Sequence, residues 1–106
     1  MTKKRNNFGK PARGNGSKSH VLACDLFAGA GGFSLGAYQA GIKVTAAVEW
    51  NKHACATYRS NLIDSKVTKT QLFEDDITAL DPHAVRKKVG FDEFGCDILL
   101  GGPPCQ

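Results

Sequence analysis

A chain of 106 residues, 42% of them apolar, has room for one small globular domain. It holds no apolar run near the roughly 20 residues of a membrane span, and no apolar segment follows its basic N-terminus, so neither a membrane anchor nor a secretory signal is expected. The net charge of +4 belongs to the tail: residues 1–18 carry Lys3, Lys4, Arg5, Lys10, Arg13 and Lys18 with no acid, and the remainder is slightly acidic.

Residues 1–19 are too polar to bury a core, so they read as a disordered basic tail. The tail is either a solvated arm or an arm attracted to nucleic-acid phosphates. Residues 20–106 form the folded part. Cysteines stand at 24, 55, 96 and 105 without a CxxC pair. That pattern predicts reduced thiols in a cytosolic protein, with no disulfide framework and no metal site.

In chain order, Val21 to Phe27 reads as a strand buried on both faces. A glycine turn follows, and a helix is predicted over Phe33 to Ala40, with Phe33, Gly36, Ala37 and Ala40 on one face and Gly41 ending it. Lys43 to Glu49 is the second strand. Asn51 is placed to cap a helix reaching Leu62, whose inner face would be Cys55, Tyr58 and Leu62. After a polar connector, Gln71 to Glu74 is a short third strand ending in Asp75-Asp76-Ile77. Asp81-Pro82 opens a helix to Val89, closed by Gly90. Cys96 to Leu100 is the fourth strand, running into Gly101-Gly102-Pro103-Pro104-Cys105-Gln106.

Strands alternating with helices predict an α/β fold, a parallel Rossmann-like sheet of about four strands with right-handed crossovers. Ligands of such sheets sit at the carboxyl ends of the strands. The unusual residues of this chain all fall at those ends. Gly29, Gly31 and Gly32 allow positive φ or close approach to a ligand. Glu49 can accept hydrogen bonds from both hydroxyls of a ribose, and Trp50 can stack on an adenine. Asp76 can accept from an adenine amine while Ile77 covers the ring, with Asp75 as the competing acid. An adenosine site of this kind fits either NAD or S-adenosylmethionine. The glycine spacing leans away from a dinucleotide, because Ser34 stands where GxGxxG has its third glycine. Cys105, just past a strand end and a stiff Pro-Pro pair, is placed as a nucleophile, although no cation adjoins it in sequence. Cys24, Cys55 and Cys96 read as structural.

These motifs resemble the N-terminal part of the DNA (cytosine-5) methyltransferase family. Asp25-Leu26-Phe27-Ala28-Gly29-Ala30-Gly31-Gly32 is similar to its first motif, Glu49-Trp50 to its second and Asp76-Ile77 to its third. Pro103-Pro104-Cys105-Gln106 is similar to its catalytic-loop motif. The resemblance covers roughly residues 20–106. It implies an S-adenosylmethionine-dependent methyltransferase fold in which Phe27, Ala28, Gly29, Gly31 and Gly32 hold the cofactor. Glu49 would bind its ribose, Trp50, Asp76 and Ile77 its adenine, and Pro104 would lie near the sulfonium. Cys105 would attack carbon 6 of a cytosine flipped out of double-stranded DNA.

The family's ENV glutamate, its later arginine, its target-recognition region and its C-terminal helix have no counterpart in these residues. The chain therefore reads as a fragment or one subunit, inactive alone and completed by the missing C-terminal part or a complementary subunit. The alternatives are a non-catalytic cofactor-binding half and an NAD-binding Rossmann domain. A cytoplasmic, nucleoid-associated location is expected in a bacterium, a nuclear one in a eukaryote.

Overall fold

The computed structural model describes residues 21–92 and 95–104. The basic tail expected over 1–19 and the expected nucleophile Cys105 lie outside the described residues. Four parallel strands form one sheet: β1 (Val21–Leu26), β2 (Ile42–Glu49), β3 (Gln71–Glu74) and β4 (Ile98–Gly101), in the spatial order β3-β2-β1-β4. The helices are α1 (Gly32–Gln39), α2 (Lys52–Tyr58) and α3 (Pro82–Val89). No described helix is long and apolar enough to cross a membrane.

β1 lies between two neighbours, so its short apolar sequence is covered along both edges by hydrogen-bonded strands. The chain steps outward from β1 to β2 to β3, then returns past β1 to lay down β4. With right-handed crossovers that reversal puts α3 on the face opposite α1 and α2. It also makes the β1–β4 boundary the switch point of the sheet.

The first strand ends at Leu26 rather than Phe27, because Phe27 turns left-handed (φ 56°) and the next N–H, of Ala28, crosses to the Val48 carbonyl at 2.9 Å. In α1 the buried residues are Ser34 and Ala37, and Phe33 is 56% exposed. The expected face through Phe33 is thus rotated away from the core, for a reason that lies in the polar contacts of Ser34. α2 keeps its predicted face: Cys55, Tyr58 and Leu62 are all buried, and the Asn51 carboxamide caps the helix by accepting from Ala54 N at 2.9 Å. Beyond Tyr58 the helix widens into a π-helical turn over Arg59–Ile63, with Asp64 N donating to Arg59 O. α3 is capped by Asp81, whose carboxylate accepts from His83 N, and closed by Gly90 at φ 81°.

β4 starts at Ile98, not Cys96. The Asp97 carboxylate takes the N–H of Leu22 at 2.8 Å, occupying the position a further ladder bond would need. A register shift between Ala23 and Cys24 marks a bulge at Thr45, whose hydroxyl donates to Ala23 O. Two buried clusters stand out in the core: Ala47, Tyr58, Leu62 and Ala28 form one, and Ala23, Ala37 and Val44 the other.

Cys24 on β1 and Cys96 before β4 bring their sulfurs to 3.7 Å as free thiols. Burial, with the second thiol alongside, pushes Cys24 from its ordinary 9.0 up to about 12. The fold therefore holds Cys24 neutral. The stability tied to this is present below pH 9 and lost as pH rises through the window up to about 12. Cys24 is expected to resist iodoacetamide at pH 8 in the folded protein and to react once it is denatured. Equal alkylation rates in both states would contradict this environment.

Candidate functional site

A cleft of about 410 Å³ opens at the carboxyl ends of the strands. Four chain segments line it, one from each strand end. β1 delivers Phe27 and Gly29, and β2 delivers Val48, Glu49 and Trp50. β3 delivers Asp75, Asp76 and Ile77, and β4 delivers Gly102 and Pro104. The sequence places these residues far apart, and the shared edge of a parallel sheet gathers them.

The turn between β1 and α1 carries three left-handed residues: Phe27 (φ 56°), Gly29 (φ 60°) and Gly31 (φ 105°). For Phe27 that conformation costs on the order of 1 kcal/mol, so something must hold it. One restraint is Glu49. Its Oε1 accepts the Gly29 N–H at 2.8 Å and its Oε2 accepts the Asn51 N–H at 2.9 Å. A single carboxylate thus ties the glycine turn to the start of α2. Each of its oxygens keeps a further lone pair for a ligand hydroxyl.

Asp76 begins a short 3-10 turn over Ile77–Ala79. Its Oδ1 accepts from the N–H and the hydroxyl of Thr78, at 2.9 and 2.8 Å. These bonds, the backbone one first, hold its carboxyl below the usual range, so it is an anion. Trp50 is 68% exposed, with its indole free to meet a planar partner. Of the other residues expected at the site, Ala28 is buried behind the turn. Gly31 caps α1 on the side of Tyr58 and Leu62, and Gly32 opens α1 on the exposed surface. Those three shape the turn rather than line the cleft. Val48 was not singled out in the sequence; it adjoins Glu49, which was, and the end of a buried strand was the available signal. Gly102 was marked only as part of the run from Gly101 to Gln106 past the fourth strand.

The charges decide what kind of ligand fits. Glu49, Asp75 and Asp76 line the cleft, and no Lys, Arg or His is among the described lining residues. The Gly29 N–H, which in a dinucleotide fold could face a phosphate, already serves a carboxylate. A pyrophosphate would meet three acids and a spent donor. A nucleoside carrying positive charge meets complementary groups.

Residues 22–106 match the family model described as C-5 cytosine-specific DNA methylase. The chain is 40% identical over 82 residues to the type II methyltransferase M1.HphI of Haemophilus parahaemolyticus, covering 77% of this chain and 20% of that protein. It is 38% identical over 82 residues to the type II methyltransferase M.HgiGI of Herpetosiphon aurantiacus, covering 77% of this chain and 57% of that protein. Among solved structures it resembles a DNA modification methyltransferase encoded within an E. coli prophage. The TM-score there is 0.68 at 34% identity, over 81% of this chain and 23% of that one. The chain therefore spans about a fifth of the first relative and little more than half of the second.

Proposed function

Because the chain belongs to the C-5 cytosine-specific DNA methylase family, we propose that it builds the S-adenosylmethionine site and carries the nucleophile of a DNA cytosine-5 methyltransferase. The observation that carries this reading is the acidic cleft at the strand ends, where Phe27, Glu49, Trp50, Asp76, Ile77 and Pro104 meet. When bound, S-adenosylmethionine supplies a methyl group activated by a sulfonium. Glu49 would accept from its ribose hydroxyls, Asp76 from its adenine amine, and Trp50 and Ile77 would enclose the base. Phe27 and Pro104 would flank the sulfonium end.

Pro104 lines the cleft, and Cys105 follows it in the chain. In this reading the Cys105 thiolate adds to carbon 6 of a cytosine taken out of the duplex, forming a C–S bond and moving an electron pair toward carbon 5. Carbon 5, made nucleophilic, would take the methyl group as the methyl–sulfonium bond breaks, leaving a neutral thioether. Loss of the carbon-5 proton to solvent water would then return the electron pair, break the C–S bond to Cys105 and free the thiolate. Double-stranded DNA is the proposed substrate, and a type II modification role follows the named relatives. Further polypeptide, of this chain or of a complementary subunit, would continue the sheet. The outer edge of β4 has no neighbour among the described residues, and Leu99 there is 66% exposed.

Calorimetry on the full-length enzyme tests the cofactor assignment. S-adenosylmethionine is expected to bind and NAD is not. Glu49→Ala should weaken S-adenosylmethionine by at least about tenfold, since it loses both the ribose acceptor and the tie to Gly29. Tight NAD binding, or an unchanged affinity in Glu49→Ala, would overturn it.

A further inference from the structure

We propose that Ser34 and Tyr58 are positioning residues for the cofactor turn, acting through the buried carboxylate of Asp25. The proposal rests on the cofactor reading above and names side chains which that reading does not use.

A central parallel strand is ordinarily apolar on both faces. Asp25 breaks that rule at 0% exposure in the middle of the sheet, where its strand neighbour Ala47 and its near neighbour Ala23 are alanines. Burying a carboxylate costs free energy unless its oxygens are well partnered. Only Oδ2 is, by the Ser34 hydroxyl at 2.6 Å. Oδ1 is buried and has no hydrogen-bond partner among the described residues. Stability alone would be better served by an alanine there. An acid kept at a cost, next to a ligand turn, points to a role in that turn.

The connectivity supplies the role. Ser34 lies in the first turn of α1, and its bond to Asp25 closes the loop 26–33 at its base. That loop contains all three left-handed residues of the turn, Phe27, Gly29 and Gly31. At the mouth, Glu49 holds the same loop through the Gly29 N–H. The loop is thus pinned twice, by a carboxylate below and a carboxylate above. Tyr58 of α2 backs the lower pin by donating its hydroxyl to Ser34 Oγ at 2.7 Å. Burial raises the Tyr58 hydroxyl above its ordinary value, so it stays a donor. Ser34 is a residue that the apolar periodicity of α1 would place outside. The pull of Asp25 turns it inward and Phe33 outward.

Ser34→Ala and Tyr58→Phe in the full-length enzyme remove the hydroxyls with little change of volume. Ser34→Ala is expected to raise the KM for S-adenosylmethionine by about tenfold and Tyr58→Phe by a few fold. The kcat at saturating cofactor and the KM for DNA should each stay within about twofold. A fall in melting temperature with an unchanged cofactor KM would make the network a structural brace and overturn the proposal. Should Ser34→Ala not fold, Tyr58→Phe, which leaves the Asp25 bond in place, is read by the same split. Wild-type enzyme that binds no S-adenosylmethionine would sink the cofactor reading itself. Wild type that binds while both variants bind equally well sinks only this proposal.

Discussion

Cys105→Ser in the full-length enzyme is expected to lower methyl transfer to DNA by on the order of a thousandfold or more, with S-adenosylmethionine affinity within about twofold of wild type. A serine hydroxyl is almost wholly protonated at neutral pH and is a poor nucleophile without an adjacent base, whereas a thiol is partly ionised and intrinsically reactive. In the proposed reading the polar grip on the cofactor would come from Glu49 and Asp76, which the substitution leaves alone. Transfer of labelled methyl groups to DNA measures the first quantity and calorimetry the second. Retained turnover would remove Cys105 from the chemistry. Joint loss of turnover and cofactor binding would place it in the cofactor pocket instead. The other cysteines make a control: Cys55 is buried, and burial raises its thiol, as it does that of Cys24. Neither environment favours the thiolate a nucleophile needs.

The sheet and the position of its cleft were legible because alternation of strands and helices leaves few topologies, and every parallel strand ends on one edge. That is why Glu49 and Asp76 could be assigned to one mouth from their places at strand ends, while Phe27 and Pro104 entered through the family resemblance. What was not legible depends on polar pairs distant in sequence. Apolar periodicity put Phe33 on the inner face of α1. The helix is turned instead by the bond between Asp25 and Ser34, which a count of apolar residues does not register. Asp25 itself read as one residue of an apolar strand. Asp97 shortened β4 in the same way, by supplying from a side chain the acceptor that backbone would have offered. The expected role of Glu49 was a ribose contact. The structure adds two backbone partners that no spacing rule predicts.

Gly31→Ala is expected to destabilise the fold by about 2–5 kcal/mol, the sum of backbone strain and overpacking. At φ 105° an L side chain is strained whatever surrounds it. A Cβ there would also stand 2.5 Å from Leu62 Cδ1 and 3.0 Å from Tyr58 Cδ2. Neither neighbour can retreat. Leu62 and Tyr58 are buried together with Ala28 and Ala47, and the Tyr58 ring is held at its far end by its bond to Ser34. The neighbouring glycines separate the two causes. Gly29→Ala meets no atom within 4 Å but keeps a positive φ, so it should cost only the strain, about 1–2 kcal/mol. Gly32→Ala meets neither obstacle, and as a helical residue it should be neutral or stabilising by up to about 1 kcal/mol. Melting of the three variants beside wild type should rank Gly32→Ala above Gly29→Ala above Gly31→Ala. A Gly31→Ala variant as stable as Gly32→Ala would mean that the turn does not pack against α2 as described. The cleft built on that turn would then lose its floor.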